Sequence, residues 1–225
     1  MPVNSAGHRR SSPAVPLRLL AMAALSLVLA APLAAQETTP GLPLPAIDVN
    51  AIDRVIMFSY SEPLDSVSDY TQYAAFLSPA VFALAAPVED WLGIGAMYAG
   101  SAVLSYAART GLKAVVERNR PYMYFDNPPA SLVAEGDHLD SFPSGHAIMA
   151  FTGAGYTATL FARRYPDSPY RWPAVAGAYA LATATVALRV GSGSHFMTDV
   201  AAGAAIGTFF GFIVPYTVDR LGWLD

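Results

Sequence analysis

The stretch from Val200 to Val218, VAAGAAIGTFFGFIVPYTV, contains no Asp, Glu, Lys or Arg. Its length is close to that needed for a helix to cross the hydrocarbon layer of a membrane. Gly203, Gly207 and Gly211 recur every four residues, so they share one helix face and allow a neighbouring backbone to approach closely. A helix in a water-soluble domain usually carries a polar stripe. The stretch therefore predicts a membrane-spanning helix that packs through its glycines.

Four further stretches of similar length also lack charged residues. They are Tyr70–Val88, Trp91–Ala108, Ala147–Ala162 and Trp172–Leu188. Only 13% of the 225 residues are charged, about half the fraction in an average soluble domain. We therefore expect an all-α fold, a polytopic transmembrane helical bundle. Fully buried helices of a soluble all-α protein are the alternative.

The N-terminal region has the pattern of an export signal. A basic region with Arg9, Arg10 and Arg18 precedes an apolar run from Leu19 to Ala31, and Ala34-Ala35-Gln36 offers a cleavage point. Residues 1–35 are thus predicted to be a signal peptide or, if retained, a first transmembrane helix. The bundle then has about five spans after cleavage, or six without it.

The remaining residues are divided into two parts. Residues 36–69, rich in proline and acidic residues, are predicted to form a periplasmic or interfacial segment. Within it, residues 48–59 predict a short amphipathic helix, with Ile52, Val55, Ile56 and Phe58 on its apolar side. Residues 70–225 are predicted to form the membrane-embedded domain.

Charge distribution predicts the orientation of this domain. Arg163, Arg164 and Arg171 lie in the short link between the third and fourth stretches, and positive residues favour the cytoplasmic side. The segment 36–69 and the long link 109–146 then lie on the outer side. The net charge of −4 argues against nucleic acid as a partner.

Three clusters of polar residues occur at the outer ends of the predicted spans. The first runs from Lys113 to Arg120-Pro121, the second is Pro143-Ser144-Gly145-His146, and the third runs from Arg189 through His195 to Asp199. Lys113, Arg120 and Arg189 would repel one another unless an anion lay between them, and a phosphoryl group suits such a set. Backbone N–H groups at Ser144 and Gly145, where a helix starts, would also face that anion.

Two histidines and one carboxylate supply the candidate chemistry. If the last helix starts at Gly193 or Ser194, His195 and Asp199 lie on one face, and Asp199 accepts a hydrogen bond from one ring nitrogen. The other nitrogen is then free to attack phosphorus. His146 comes from another helix and is placed to protonate the leaving oxygen. Since cations fill the electrostatic role, neither a metal nor a cofactor is expected; Asp137, His138 and Asp140 are interpreted as a solvated loop.

The joint pattern resembles the signature of the type 2 phosphatidic acid phosphatase superfamily: Lys-x6-Arg-Pro, Pro-Ser-Gly-His and Ser-Arg-x5-His-x3-Asp. The superfamily contains membrane lipid phosphatases, soluble bacterial class A acid phosphatases and vanadium haloperoxidases, which share a helical bundle around one pocket. The match runs from Lys113 to Asp199, and it departs from the signature where Leu188 replaces the usual serine before Arg189.

The resemblance implies a role for each matching residue. Lys113, Arg120 and Arg189 would bind the phosphoryl oxygens, with hydrogen bonds added by Ser144 and Gly145. His195 would be the nucleophile that forms a phosphohistidine, Asp199 would orient it, and His146 would be the general acid.

The expected function is metal-independent hydrolysis of a phosphomonoester or pyrophosphate of a membrane lipid. The expected location is a bacterial inner membrane, with the active site facing the periplasm. The alternatives are a soluble periplasmic non-specific acid phosphatase, a vanadate-dependent haloperoxidase and a non-catalytic phosphate sensor.

Overall fold

The computed structural model describes residues 43–84 and 86–222. Within these residues the chain forms α-helices and short 3₁₀ turns but no β-strand, which confirms the all-α class. The α-helices are α1 (Ala51–Val55), α2 (Glu62–Ala83), α3 (Trp91–Lys113), α4 (Ala130–Ala134), α5 (Gly145–Arg164), α6 (Arg171–Gly191) and α7 (Met197–Leu221). The predicted signal peptide or first transmembrane helix, residues 1–35, lies outside the described part.

Five of these helices are long, and each overlaps one of the five charge-free stretches. By length and composition, α6 and α7 are apolar enough to cross a membrane. α2 begins at Glu62, well before the predicted start at Tyr70. Pro63 in its first turn and the acidic residues Glu62 and Asp65 near its positive end favour a helix start there. The expected boundary between residues 69 and 70 therefore falls inside α2.

Helix α5 lies at the centre and contacts each of the other four long helices. Its contact with α7 runs along the glycines of that helix. A Cβ atom added at Gly207 would come within 2.8 Å of the backbone nitrogen of Thr152, and one at Gly211 within 2.7 Å of that of Tyr156. The predicted close approach through these glycines is confirmed.

Many of the contacts between helices inside the bundle are made by small and hydroxyl-bearing side chains. One cluster of buried residues consists of alanines, namely Ala75, Ala150, Ala154, Ala178 and Ala182. A second contains the larger side chains of Ile94, Met97, Tyr156 and Leu160 beside Ala86. Hydroxyl pairs join neighbouring helices: Ser78 with Thr157 at 3.1 Å, Ser105 with Thr152 at 2.8 Å, and Thr185 with Thr71 at 2.9 Å. Large apolar side chains, among them Leu77, Leu92, Val103, Phe209 and Phe212, point outward and are exposed.

The polar residues at the termini of the long helices form two groups, one at each end of the bundle. The last residues of α3 and α6 meet the first residues of α5 and α7 at one end. Arg163 and Arg164, at the other end of α5, lie about 30 Å away, since a helix rises 1.5 Å per residue. The residues expected to do chemistry therefore share one end of the bundle.

The segment before α2 differs from the predicted amphipathic helix. α1 covers only Ala51–Val55, and the side chains of Ile52 and Val55 are exposed. The buried residue of α1 is Asp53. Its carboxylate accepts hydrogen bonds from the backbone N–H of Thr198 at 3.0 Å, from the Thr198 hydroxyl at 2.5 Å and from Arg118 at 2.6 Å. These bonds compensate for the burial of its charge, so polar contacts rather than apolar packing orient α1.

Candidate active site

A polar cavity of about 440 Å³ opens at the end of the bundle where the three sequence clusters meet. Six of the eight predicted site residues line it: Lys113, Arg120, Gly145, His146, Arg189 and His195. Ser144 and Asp199 do not; both are fully buried behind its wall. The structure thus brings together the three cations and both histidines.

The ring of His195 is held in one tautomer. Its Nδ1 atom lies 2.8 Å from the backbone carbonyl oxygen of Ser141, and its Nε2 atom lies 3.1 Å from Nη1 of Arg120. A guanidinium group can only donate, so Nε2 must accept, and the ring proton is therefore on Nδ1. Burial, together with the charges of Arg120 and Arg189, holds the pKa of His195 well below its ordinary value. The side chain is neutral, with an unprotonated nitrogen in the cavity.

Asp199 does not make the predicted hydrogen bond to His195. α7 starts at Met197 rather than at Gly193 or Ser194, so His195 precedes the helix. The Asp199 carboxylate accepts hydrogen bonds from the backbone N–H of Phe196 at 2.8 Å and from the Ser141 hydroxyl at 2.6 Å, and it pairs with Arg118. The closest approach of its oxygens to Nδ1 of His195 is 3.8 Å. Asp199 therefore reaches the histidine through Ser141.

The three predicted phosphate-binding cations each have a carboxylate partner. The pairs are Arg189 with Asp65 at 2.5 Å, Arg120 with Asp137 at 2.7 Å, and Lys113 with Asp140 at 3.7 Å. Burial and the nearby charge of Arg120 lower the pKa of Lys113 to about 8, although Asp140 opposes that shift. An incoming phosphoryl group would meet cations that are already positioned by these carboxylates.

His146 has a carboxylate partner as well. Its Nε2 atom lies 2.6 Å from Oδ1 of Asp69, which is one helical turn after Asp65 on α2. Burial and the charge of Arg189 hold the pKa of His146 below its ordinary value, and the hydrogen bond that the ring donates to Asp69 acts in the opposite direction. Asp69 opposes this shift but does not reverse it, so the free site favours the neutral ring. The negative charge of a bound phosphoryl group would favour the protonated form that a general acid requires.

Ser144 and Gly145 form the start of α5. Ser144 is the N-cap, and its hydroxyl accepts a hydrogen bond from the backbone N–H of Ala147 at 3.4 Å. Gly145 lines the cavity, and a Cβ atom there would lie within 3.1 Å of Cδ of Arg109. The hydroxyl of Ser144 is therefore used for capping, and the missing side chain of Gly145 makes room for an arginine.

Sequence reasoning missed several residues at this site: Asp65, Asp69, Arg109, Arg118 and Ser141. A usable signal existed for the first two. Glu62-Pro63 is a helix-start pattern, and a helix from there places Asp65 and Asp69 on one face, directly before a charge-free stretch. Arg118 lies between two motif residues, and only the fold shows that it contacts Asp199 and Asp53.

Known proteins share this architecture. A crystal structure of Aquifex aeolicus LpxE superimposes with a TM-score of 0.51, covers 76% of this chain and 98% of that chain, and is 24% identical in sequence. This likeness supports the fold. A lipid A 1-phosphatase from Porphyromonas gingivalis is 29% identical over 153 residues, which are 68% of this chain and 30% of the relative. The chain thus spans less than a third of the length of that relative.

A family model supplies the remaining comparison. The model described as PAP2 superfamily matches residues 94–223, more than half of the chain, including all eight predicted site residues. It agrees with the resemblance to the type 2 phosphatidic acid phosphatases that the three motifs carried. The chain therefore belongs to the PAP2 superfamily.

Proposed function

We propose that this chain is a phosphatase that hydrolyses a phosphomonoester or pyrophosphate of a membrane lipid through a phosphohistidine on His195, without a metal. The observation that carries the proposal is the neutral His195, whose Nε2 lies 3.1 Å from Arg120 in a cavity that Lys113 and Arg189 also line. A nucleophile and the cations that attract phosphate therefore occupy the same cavity.

The reaction begins when a phosphoryl group replaces carboxylates as the partner of these cations. Arg120 then donates to a phosphoryl oxygen and releases the lone pair on Nε2 of His195. Nε2 attacks phosphorus, and the bond between phosphorus and the leaving oxygen breaks with its electron pair on that oxygen. His146 supplies the proton that the leaving oxygen needs.

The second half of the reaction restores the enzyme. Water attacks phosphorus, the bond between phosphorus and Nε2 breaks, and the deprotonated His146 accepts a proton from the water. Inorganic phosphate leaves, and His195 regains its lone pair. Throughout, Lys113, Arg120, Arg189 and the backbone N–H groups at the start of α5 stabilise the charge on the equatorial oxygens. These groups fill the electrostatic role that a metal ion has in other phosphatases.

The distribution of side chains supports a lipid substrate and a membrane location. Contacts between helices through small and hydroxyl side chains, with large apolar side chains exposed on the outside, are typical of helices that pack in lipid. In the proposed arrangement the five long helices cross a bacterial inner membrane. The arginines at the far end of α5 then face the cytoplasm, and the cavity faces the periplasm. The relative from Porphyromonas gingivalis is named for dephosphorylating a lipid, which agrees with this substrate class.

Trapping the intermediate tests the proposal. Purified protein in detergent, mixed briefly with a ³²P-labelled lipid phosphate and quenched, should carry label that is stable in alkali and labile in acid, with and without EDTA. His195→Ala should carry none, while His138→Ala, which changes a histidine outside the cavity lining, should retain it. Loss of hydrolysis in EDTA would contradict the metal-free mechanism. Release of the protein from membranes by carbonate would contradict the membrane location.

A further inference from the structure

A second cavity, of about 290 Å³, lies beside the polar one. We call it the apolar groove; its lining comes from α2, α3 and α5 and includes Phe76, Val103, Tyr106 and Ile148. Arg109 and Met149 line both cavities. The apolar groove therefore adjoins the phosphate site, and Arg109 lies where the two meet.

Arg109 differs from the three predicted phosphate-binding cations of the polar cavity. Within the described residues its guanidinium makes no hydrogen bond or ion pair, and its Nε atom is buried without a partner. Its Cζ atom lies 5.5 Å from the centroid of the Tyr106 ring, and its side chain lies over Gly145. An aromatic ring and a glycine thus hold a guanidinium whose charge no carboxylate neutralises.

We propose that Arg109 binds a second phosphoryl group, directly linked to the one that is cleaved, so that the substrate is a diphosphate carried on an apolar chain. This inference rests on the proposed function and selects between the phosphomonoester and the pyrophosphate that it allows.

Arg109 is positioned to bind the group that links the cleaved phosphate of the substrate to its apolar chain. Arg109 precedes Lys113 by one turn of α3, so it lies deeper in the bundle on the same helix face. A substrate with its terminal phosphate at His195 and its chain in the apolar groove must place its linking group at this point. The missing carboxylate favours an anion there, because a guanidinium bonds more strongly to a charged oxygen than to a neutral carbonyl.

A diphosphate also gives Arg109 a part in the reaction. Nε2 of His195 attacks the outer phosphorus, and the bond from that phosphorus to the bridging oxygen breaks with its electron pair on the oxygen. The leaving group is a chain monophosphate, and Arg109 neutralises the charge that develops on it. A phosphomonoester of the same chain has no such group, so Arg109 would favour the diphosphate in the transition state.

Matched substrates test this inference. Dodecyl monophosphate and dodecyl diphosphate, in identical mixed micelles, should be hydrolysed by the full-length protein with kcat/KM at least 10-fold higher for the diphosphate. Arg109→Met should lower the ratio of the two kcat/KM values on the order of 10- to 100-fold, the usual effect of losing a charge-assisted hydrogen bond. Arg171→Met, an arginine outside the polar cavity, should keep the ratio of the unmodified protein.

Inhibition by inorganic anions separates a lost contact from a damaged site. Arg109→Met should weaken inhibition by inorganic diphosphate more than inhibition by inorganic phosphate. An equal loss on both substrates and both inhibitors would overturn the inference, because Arg109 would then contact the cleaved group or only support the fold. An unchanged ratio would overturn it as well. If the unmodified protein hydrolyses neither compound nor any other lipid phosphate, the proposed function itself fails.

Discussion

Nδ1 of His195 donates its hydrogen bond to the main chain of Ser141, across 2.8 Å, and not to a carboxylate. A backbone carbonyl fixes the tautomer of the ring as a carboxylate would, but it carries no full negative charge. The proposed nucleophile is therefore oriented by a backbone carbonyl group, and Asp199 acts on it indirectly, through Ser141.

The first prediction concerns Asp199. Asp199→Asn should lower kcat by roughly 10- to 100-fold, as is usual for residues that support a ligand or nucleophile indirectly. His195→Ala should abolish turnover, since no other group replaces its nitrogen. The measurement is kcat for one lipid phosphate, with thermal unfolding followed in parallel, because Asp199 also pairs with Arg118.

Ser141→Ala is the matched control for that prediction. It removes the hydroxyl that Asp199 accepts from, at 2.6 Å, but leaves the carbonyl that holds His195. Its kcat should fall less than that of Asp199→Asn. If Asp199→Asn is as inactive as His195→Ala while Ser141→Ala has normal activity, a direct bond between Asp199 and His195 forms during the reaction.

The second prediction concerns the leaving group. His146→Ala should slow hydrolysis of an alkyl phosphate by about 10²- to 10⁴-fold, the usual contribution of a general acid. It should slow hydrolysis of p-nitrophenyl phosphate much less, because p-nitrophenolate leaves without a proton. Comparing the two substrates at one pH measures this difference. Equal losses on both would assign His146 to phosphate binding instead.

The third prediction concerns pH. In the free protein the pKa of Lys113 is lowered to about 8 by burial and by Arg120, so the lysine loses its charge as the pH rises through 8. The value of kcat/KM, which reports the free enzyme, should fall above that pH. Lys113→Arg should shift this alkaline fall to higher pH, since arginine stays charged. An identical alkaline limb in both proteins would assign it to another group.

The fourth prediction concerns the contact between α5 and α7. Gly207→Ala places a Cβ atom within 2.8 Å of the Thr152 backbone nitrogen, and neither helix backbone can yield there. The free energy of unfolding should fall by about 1–3 kcal/mol, as for other overpacked contacts. Gly177→Ala, also within a long helix but with no atom within 4 Å of the added Cβ, should be neutral or stabilising. Thermal unfolding in detergent compares the two.

Much of the fold follows from local sequence, because a charge-free stretch of membrane length has few alternatives to a helix. The start of α2 did not follow from it: Glu62, Asp65 and Asp69 were assigned to the segment before the domain because they are acidic. The carboxylates of Asp65 and Asp69 meet Arg189 and His146, which are more than 75 residues away in the chain. Contacts with residues distant in sequence also explain why Asp53 is buried, since Thr198 and Arg118 bind its carboxylate.

The motif residues of the site were predictable because each type and spacing matches phosphate chemistry, and the fold brings six of them to one cavity. Their partners were not, since no spacing rule connects Asp69 to His146 or Ser141 to His195. Whether a side chain faces the ligand or caps a helix also depends on where the helix starts. This is why Asp199 and Ser144 lie behind the cavity wall rather than in it.

The carboxylates on α2 limit how far the N-terminal part of this protein can be truncated. A fragment that starts at residue 94, where the family match begins, would keep every motif residue and lose Asp65 and Asp69. Arg189, whose side chain is only 5% exposed in the complete bundle, would then lose both its counterion Asp65 and the helix that covers it. A truncated form of the protein therefore has to begin no later than Glu62, although the recognisable signature starts far downstream.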